Sequence, residues 1–437
     1  MTTPQGRFRF HGPAPRVPSY PPGRSIRGRC AGRANDLDTR PRHARPLTQA
    51  GNDATPADPD PPAAVVRLAV DATPLLGQRS GVGRYLEGVL GGLAGLPDAP
   101  EPVLTLFSLR GRVAEPPAGS RPAPRRVPAR VLQPMWQRWH FPPVELLTGR
   151  IDVFHAGNFV LPPLRRAAGV VTVHDLAYLR FPETVDSQVL RYRDLVPDAL
   201  RRAAAVVTVS AAVRDELCAQ YRLDPSLVVI APNGVDPSWL TATPVDTPAR
   251  LRLGLPVRYL LFVGNVEPRK GLPTLARAHA AARRADPDVP PLVLVGPAGW
   301  GDAWQGEPPD DRDVLRLGYL PEQDLRSVVA GAVALCLPSR YEGFGLPVLE
   351  ALACGTPALA SDLPVHREIG AEHPTYVPVG DVDAWSQALL EASRAAADQA
   401  GAQAGRRHAA AATWQRSAAL HLAAWRSAAA GRSSSGH

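Results

Sequence analysis

Tyr259-Leu260-Leu261-Phe262-Val263-Gly264-Asn265-Val266-Glu267-Pro268-Arg269-Lys270-Gly271 holds the pattern that decides the fold: a short apolar run, a glycine, then charge. Five apolar residues closed by Gly-Asn read as a strand buried on both faces and leading into a turn. The same pattern recurs at 65–70 before Asp71, 170–173 before His174-Asp175, 205–209 before Ser210 and 227–231 before Pro232-Asn233-Gly234. It returns at 292–295 before Gly296-Pro297 and at 334–337 before Pro338-Ser339. Helix-length stretches separate these runs, so the chain predicts an α/β fold with parallel sheets covered on both faces. In such sheets ligands sit at the carboxyl ends of the strands, where the chemically interesting residues of this chain fall.

A chain of 437 residues exceeds one ordinary core, and two globular units are expected. The break falls between Val235 and Leu255, a turn-rich stretch without periodicity. The expected organisation is an extension over 1–64, a first Rossmann-like domain over 65–238 and a second over 239–412. A C-terminal helix then follows within 413–437, packing back on the first domain. Thr413 is placed as its N-cap, and 431–437 read as frayed.

The net charge is +8. Residues 1–64 hold ten arginines and five aspartates and so supply +5 of it. They are crowded with Pro and Gly and nearly empty of large aliphatics, a composition that predicts disorder, and a start near Val65 would account for them. They lack the apolar core of a secretory signal. The basic balance leaves a nucleic-acid partner on the table, but no groove-reading motif supports one. No apolar run is long enough to span a membrane. Cys30, Cys218, Cys336 and Cys354 have neither disulfide nor metal-ligand spacing, which points to a reducing cytoplasm.

Three features suit an anionic ligand. Lys270 is the only lysine beside 48 arginines, and it follows Arg269 directly after a strand and a turn. A solvated surface pair is the ordinary meaning of such a doublet. A compact ammonium retained where arginine is otherwise universal favours a diphosphate contact. Gly81-Val82-Gly83-Arg84-Tyr85 follows the first strand and is either a tight turn into a helix or an anion-binding loop. In Pro338-Ser339-Arg340-Tyr341-Glu342-Gly343-Phe344-Gly345-Leu346-Pro347-Val348-Leu349-Glu350, a glycine loop and a proline suited to the first helical turn lie between two glutamates. Asp381-Val382-Asp383 reads better as a helix cap than as a metal site, and 310–313 as a solvated acidic loop. Residues 125–140 interleave arginines with Trp136 and Trp139, giving either a core-packed helix or a membrane-surface contact.

The Glu342-x7-Glu350 arrangement with Gly343-Phe344-Gly345-Leu346-Pro347 inside it resembles the family-4 retaining glycosyltransferases of the GT-B fold. Glu267-Pro268-Arg269-Lys270-Gly271, Pro232-Asn233-Gly234-Val235-Asp236 and Gly318-Tyr319-Leu320-Pro321 are similar to that family's signatures, in the same order. Asp71-Ala72-Thr73-Pro74, Gly81-Val82-Gly83-Arg84-Tyr85 and Val173-His174-Asp175-Leu176 resemble bacterial mannosyltransferases that build cell-surface polysaccharide. The resemblance covers about 66–428. It implies two Rossmann-like domains facing across a cleft, with the nucleotide-sugar donor on the second and a saccharide or lipid-linked acceptor on the first.

By motif position the resemblance assigns the donor diphosphate to Arg269 and Lys270 and the ribose to Glu350. It assigns the sugar to Glu342, Gly343 and the N–H groups of Phe344, Gly345 and Leu346. Gly81 and Gly83 would close from the opposite domain, and His174 would sit beside the reacting carbon. A general base, a structural histidine and a positioning hydrogen bond are all open to His174, the last preferred. GDP-mannose is the donor expected from the resemblance alone, with no metal and no other cofactor. The expected location is the cytoplasm, with a peripheral contact at the inner face of the membrane. An epimerase or phosphorylase on the same fold is the alternative.

Overall fold

Thirteen strands in two sheets are present in the computed structural model, which describes residues 65–434 apart from 79–80, 183–184, 186, 298, 300–302, 305–313 and 397. The 1–64 extension and the acidic run 310–313 therefore lie outside the described residues. The first sheet contains β1 (Leu68–Asp71), β2 (Val103–Thr105), β3 (Arg121–Pro122), β4 (Val153–Ala156), β5 (Ala168–Val173), β6 (Ala205–Thr208) and β7 (Val228–Ile230). Its order is β3-β2-β1-β4-β5-β6-β7, with every pair parallel. The second contains β8 (Leu260–Val263), β9 (Leu292–Val295), β10 (Val314–Gly318), β11 (Ala334–Leu337), β12 (Ala358–Ser361) and β13 (Thr375–Val377). Its order is β10-β9-β8-β11-β12-β13, again wholly parallel.

Strands β4, β5, β8 and β11 are buried along their whole length, as strands covered on both faces are, with His155 and Thr172 the polar exceptions. Both strand orders reverse direction beside their first strand, between β1 and β4 and between β8 and β11. Those switch points open crevices at the carboxyl ends of the strands. The Arg269-Lys270 segment follows β8 and the Glu342 loop follows β11, so the second crevice lies between them.

The stretch expected to be unpatterned, between β7 and β8, instead carries two short helices, Pro237–Leu240 and Thr247–Leu253. Each is started by an aspartate: Asp236 Oδ1 accepts from the Ser238 amide at 2.9 Å and Asp246 Oδ1 from the Ala249 amide at 2.8 Å. At four and seven residues they are too short to display a helical period in sequence. Asp381 caps the helix Val382–Arg394 by accepting from the amides of Asp383 and Ala384, consistent with the capping reading.

The C-terminal helix, Trp414–Ser434, packs against the first helix, Gly81–Ala94. Thr413 Oγ1 caps it through the Arg416 amide at 3.1 Å. Helix continues through Ser434, past the point where fraying was expected, because the alanine-rich end favours helix despite Gly431. Glycines make the close approach to Gly81–Ala94 feasible: a Cβ on Gly92 would stand 2.3 Å from the Trp414 carbonyl oxygen, and one on Gly88 2.2 Å from its indole. In the helix Ala129–Trp139, Trp136 is buried and donates to the Pro142 carbonyl, whereas Trp139 is 63% exposed. That segment is therefore a helix packed on one face and exposed on the other.

Candidate active site

After β8, Pro268–Lys270 form a single 3-10 turn, and Gly271 follows in the left-handed region at φ 68°. A Cβ there would stand 2.1 Å from the Pro338 carbonyl oxygen, so only glycine lets the loops after β8 and β11 touch. The cationic doublet points inward, with side-chain exposure of 16% for Arg269 and 11% for Lys270. This is not a solvated surface pair. Lys270 Nζ donates to Glu342 Oε1 at 2.7 Å, and Ser339 Oγ donates to the same oxygen at 2.7 Å. Arg269 Nη1 donates to Glu342 Oε2 at 3.2 Å, and its Nη2 pairs with Glu267 Oε1 at 2.9 Å.

Burial alone would raise the Glu342 carboxyl, but Lys270 and Arg269 outweigh it and hold the group at about 2. Burial likewise pulls Arg269 down, and Glu342 with Glu267 raises it further than burial lowers it. Glu267, with desolvation the largest influence on it, is pushed up despite both cations. Its Oε2 is buried without a hydrogen-bond partner.

The loop after β11 also meets the first sheet. Gly343 lies against the His174 carbonyl oxygen, where a Cβ would come within 1.9 Å. Ser210 Oγ donates to the Gly343 carbonyl at 2.8 Å, and the Leu176 amide donates to the Tyr341 hydroxyl at 2.8 Å. From Pro364–Gly370, Glu368 accepts from the amides of Ala211 and Ala212 at 2.7 and 3.1 Å, capping the helix Ala211–Tyr221 of the first sheet. The crevices of the two sheets therefore face one another in a closed arrangement. Beyond Gly343, Phe344 is buried and Gly345, at φ 102°, turns the chain into the helix Leu346–Cys354. Free amides at that helix start face an anion favourably.

His174 extends from the end of β5. Its Nε2 lies 2.8 Å from the Gly157 carbonyl, which can only accept, so Nε2 carries the proton and Nδ1 is left as an acceptor. Burial lowers its pKa, against the opposing effects of that bond and of Asp175. Glu350 lies one turn into Leu346–Cys354, 2% exposed, and pairs with the guanidinium of Arg84 from Gly81–Ala94. Gly81 and Gly83 occupy the first turn of that helix, so the glycine pair is part of the helix start and not a separate loop. Beside the Arg84–Glu350 pair lies a cavity of about 600 Å³, also lined by Trp239, Glu322, Leu346 and Trp414. Glu350 Oε2 is buried and unpartnered, an acceptor available to a ligand donor.

Of the charged residues that the sequence assigns to the site, Arg269, Lys270 and Glu342 converge, and Gly343 brings the Glu342 loop against His174. Glu350 stands apart from them, paired with Arg84. Ser339, Glu267, Arg84 and Glu368 were not singled out. Glu267, two residues before its partner Arg269, and Arg84 each sit inside a quoted motif; the partner of Arg84 lies 266 residues away and leaves no local mark. Among the described residues no group of three or more His, Cys, Asp or Glu side chains is arranged to hold a metal. None of the described helices is long and apolar enough to cross a membrane.

Residues 80–239 match the family model for Glycosyltransferase Family 4, and 257–394 match that for Glycosyl transferases group 1. O-antigen chain mannosyltransferase B of Escherichia coli is 30% identical over 269 residues, covering 60% of this chain and 69% of that protein. The chain belongs to the family-4 glycosyltransferases. A second relative of this glycosyltransferase is the D-inositol 3-phosphate glycosyltransferase of Kineococcus radiotolerans, 36% identical over 172 residues. That match spans 36% of this chain and only 40% of the relative. Sucrose-phosphate synthase from Thermosynechococcus elongatus superimposes with a TM-score of 0.62 at 19% identity, over 82% of this chain and 98% of that one. The two-sheet architecture of the glycosyltransferase is the GT-B fold.

Proposed function

We propose that this glycosyltransferase moves a hexose, mannose in the first instance, from GDP-mannose to a saccharide or lipid-linked acceptor with retention of anomeric configuration. The observation that carries this reading is the buried Arg269–Lys270 doublet, aimed into the crevice of the second sheet and opposite His174 of the first. Likeness to an O-antigen chain mannosyltransferase supports mannose over other hexoses.

Cleaving a sugar–phosphate bond leaves an oxocarbenium-like carbon and a departing diphosphate, so stabilising the leaving charge is a large part of the barrier. Arg269 and Lys270 supply that charge. Glu342 pairs with both, and an entering diphosphate takes its place on the cations. The released carboxylate then accepts from sugar hydroxyls, with the amides at Phe344, Gly345 and Leu346 donating to others. Glu350 Oε2 accepts from the ribose. Gly81 and Gly83, at the start of the opposing helix, close on the phosphates. His174 Nδ1 accepts from the sugar and fixes its orientation. The acceptor attacks from the leaving-group face, and a phosphate oxygen takes its proton. This chemistry uses no side-chain nucleophile and no metal.

In the first domain Val131, Trp139, Phe141 and Leu146 are exposed, and so are Arg125, Arg130, Arg138 and Arg150, which are interspersed with them along the sequence. Cations interleaved with aromatic and aliphatic side chains suit the anionic inner face of a membrane, where a lipid-linked acceptor is presented.

Thermal unfolding with GDP, UDP and ADP tests the donor, because ligand binding raises apparent stability in step with affinity. GDP should raise the midpoint most, and Lys270→Ala should shrink the increase in line with an affinity about tenfold to a hundredfold weaker. The reading is refuted if no nucleoside diphosphate stabilises the protein. An inverted anomer of transferred mannose in the product NMR spectrum would refute retention.

A further inference from the structure

Three polar side chains or carbonyls of the C-terminal helix point into the first domain at one-turn spacing: Ser417, His421 and Trp425, each at most 1% exposed. They meet Tyr85 of Gly81–Ala94, His155 of β4 and Thr172 of β5, equally buried. Five contacts link them. Trp425 Nε1 lies 2.8 Å from His155 Nδ1, and His155 Nε2 lies 2.8 Å from Thr172 Oγ1. Thr172 Oγ1 lies 2.8 Å from the Tyr85 hydroxyl, which lies 2.7 Å from His421 Nε2. His421 Nδ1 closes the series on the Ser417 carbonyl at 2.7 Å.

The two ends fix every proton between them. An indole N–H only donates, so His155 Nδ1 accepts and its proton resides on Nε2, which donates to Thr172. A carbonyl only accepts, so His421 carries its proton on Nδ1, and its bare Nε2 accepts from the Tyr85 hydroxyl. The Thr172 hydroxyl is left to donate to the Tyr85 oxygen. All five bonds run one way, from the C-terminal helix through three elements of the first domain and back. Both rings must be neutral for this order. Burial, chief among the influences on each, holds His155 well below its ordinary range and His421 at about 4.

The chain ends its reach at the cleft. The Tyr85 ring stands edge-on to His174 with centroids 4.7 Å apart, and Phe159 contacts the same imidazole at 5.9 Å. The neighbour of Tyr85 is Arg84, partner of Glu350 on the second domain. We propose that Tyr85, Thr172, His155, His421 and Trp425 are positioning residues, a one-way hydrogen-bond chain by which the C-terminal helix sets the Tyr85 ring and, through it, the orientation of His174. Turnover then depends on side chains at 421 and 425 that are wholly buried. The kinetic consequence rests on the glycosyl-transfer reading given above; the proton order does not.

Histidine-¹⁵N NMR of the full-length protein should show His155 as the Nε2–H tautomer and His421 as the Nδ1–H tautomer. Tyr85→Phe and His421→Leu should lower kcat for GDP-mannose turnover, followed as GDP release, by about tenfold to a hundredfold, the penalty of a misplaced positioning group. The donor KM should stay within about twofold, since the diphosphate is held elsewhere. In both variants the His174 resonances should move from one Nε2–H tautomer towards a mixture. His421→Gln, whose amide oxygen can still accept from Tyr85, should restore kcat and the His174 signal. The opposite tautomer at either ring overturns the proposal. So does an unchanged kcat and His174 signal in Tyr85→Phe, or a fall in kcat in His421→Gln equal to that in His421→Leu. A wild-type enzyme inactive on GDP-mannose counts against the donor reading only, and the His174 signal then decides the positioning role by itself.

Discussion

Lys270 and Glu342 should have opposite effects on nucleotide affinity, although they form one ion pair. Arg269 and Lys270 bring two positive charges together, and Glu342 and Glu267 stand against them. A diphosphate entering this balanced site meets the Glu342 carboxylate as a competitor. Two like unit charges about 4 Å apart at an effective dielectric of about 20 repel by about 4 kcal/mol. Allowing for relaxation and solvent, on the order of 1–2 kcal/mol survives, so Glu342→Gln should tighten GDP binding by about 5- to 30-fold. Lys270→Met removes a charge-assisted hydrogen bond of about 1.5–3 kcal/mol and should weaken GDP about tenfold to a hundredfold. Titration calorimetry with GDP reads both. Turnover should fall in both variants, because Glu342→Gln also weakens the group meant to hold the sugar.

Stability adds an independent reading of the same pair. Removing one partner of a buried ion pair destabilises by about 3–5 kcal/mol. Glu342 would keep Arg269 at 3.2 Å and Ser339 at 2.7 Å, so Lys270→Met belongs at the low end of that range. The double variant Lys270→Met/Glu342→Gln should be more stable than the summed singles, with a coupling of about 0.5–3 kcal/mol in denaturant unfolding. If Glu342→Gln weakened GDP as Lys270→Met does, the carboxylate would be a partner of the diphosphate and not its competitor, and the exchange of partners would be wrong.

Three further outcomes follow from close contacts and burial. Gly343→Ala should prevent cleft closure, since its Cβ would stand 1.9 Å from the His174 carbonyl oxygen; GDP binding should persist while small-angle scattering reports an open form and turnover is lost. Gly88→Ala should lower the melting midpoint through overpacking worth about 1–3 kcal/mol and be rescued by Trp414→Ala. Gly92→Ala meets the Trp414 backbone instead, so the same second change should not rescue it. Stability should fall as pH drops from about 6.5 towards 4. His421 is depressed to about 4 in the folded protein, so across that interval the unfolded chain binds the extra proton; the loss is on the order of 3 kcal/mol. Glu267 and Glu350, pushed up by burial, act in the opposite sense, so the His421 contribution is read as the difference between wild type and His421→Gln in denaturant curves at pH 7 and pH 5.

The parts of the fold that sequence revealed are those where burial forces an unbroken apolar run. β8, β9 and β11 are four-residue strands of wholly apolar side chains closed by small or polar ones, and their reading needed no partner. β12 has the same burial but reads Ala-Leu-Ala-Ser, small residues that fit a tight sheet without announcing a strand. β4 carries a histidine in the middle of a core strand, a position that makes sense only once Trp425, 270 residues later, donates to it. The doublet Arg269-Lys270 was legible because it follows a strand end directly. Its neutralisation by Glu342 was not, because 72 residues separate the partners and only the β8–β11 switch point brings them together.

That separation is what would let one carboxylate play both of the parts proposed for it. A glutamate close in sequence to the doublet, as Glu267 is, is tied to its own loop and keeps a fixed place beside Arg269. Glu342 belongs to a different loop, which also touches His174 and Ser210 of the first sheet through Gly343. Any movement that draws Glu342 off Lys270 therefore moves the loop that seals the cleft. In physical terms, Glu342 screens the two cations, and on the proposed reading giving them up to a diphosphate is coupled to the contact between the two sheets. A freely solvated lysine would bind phosphate without that coupling; a buried one held by a carboxylate on the closing loop cannot.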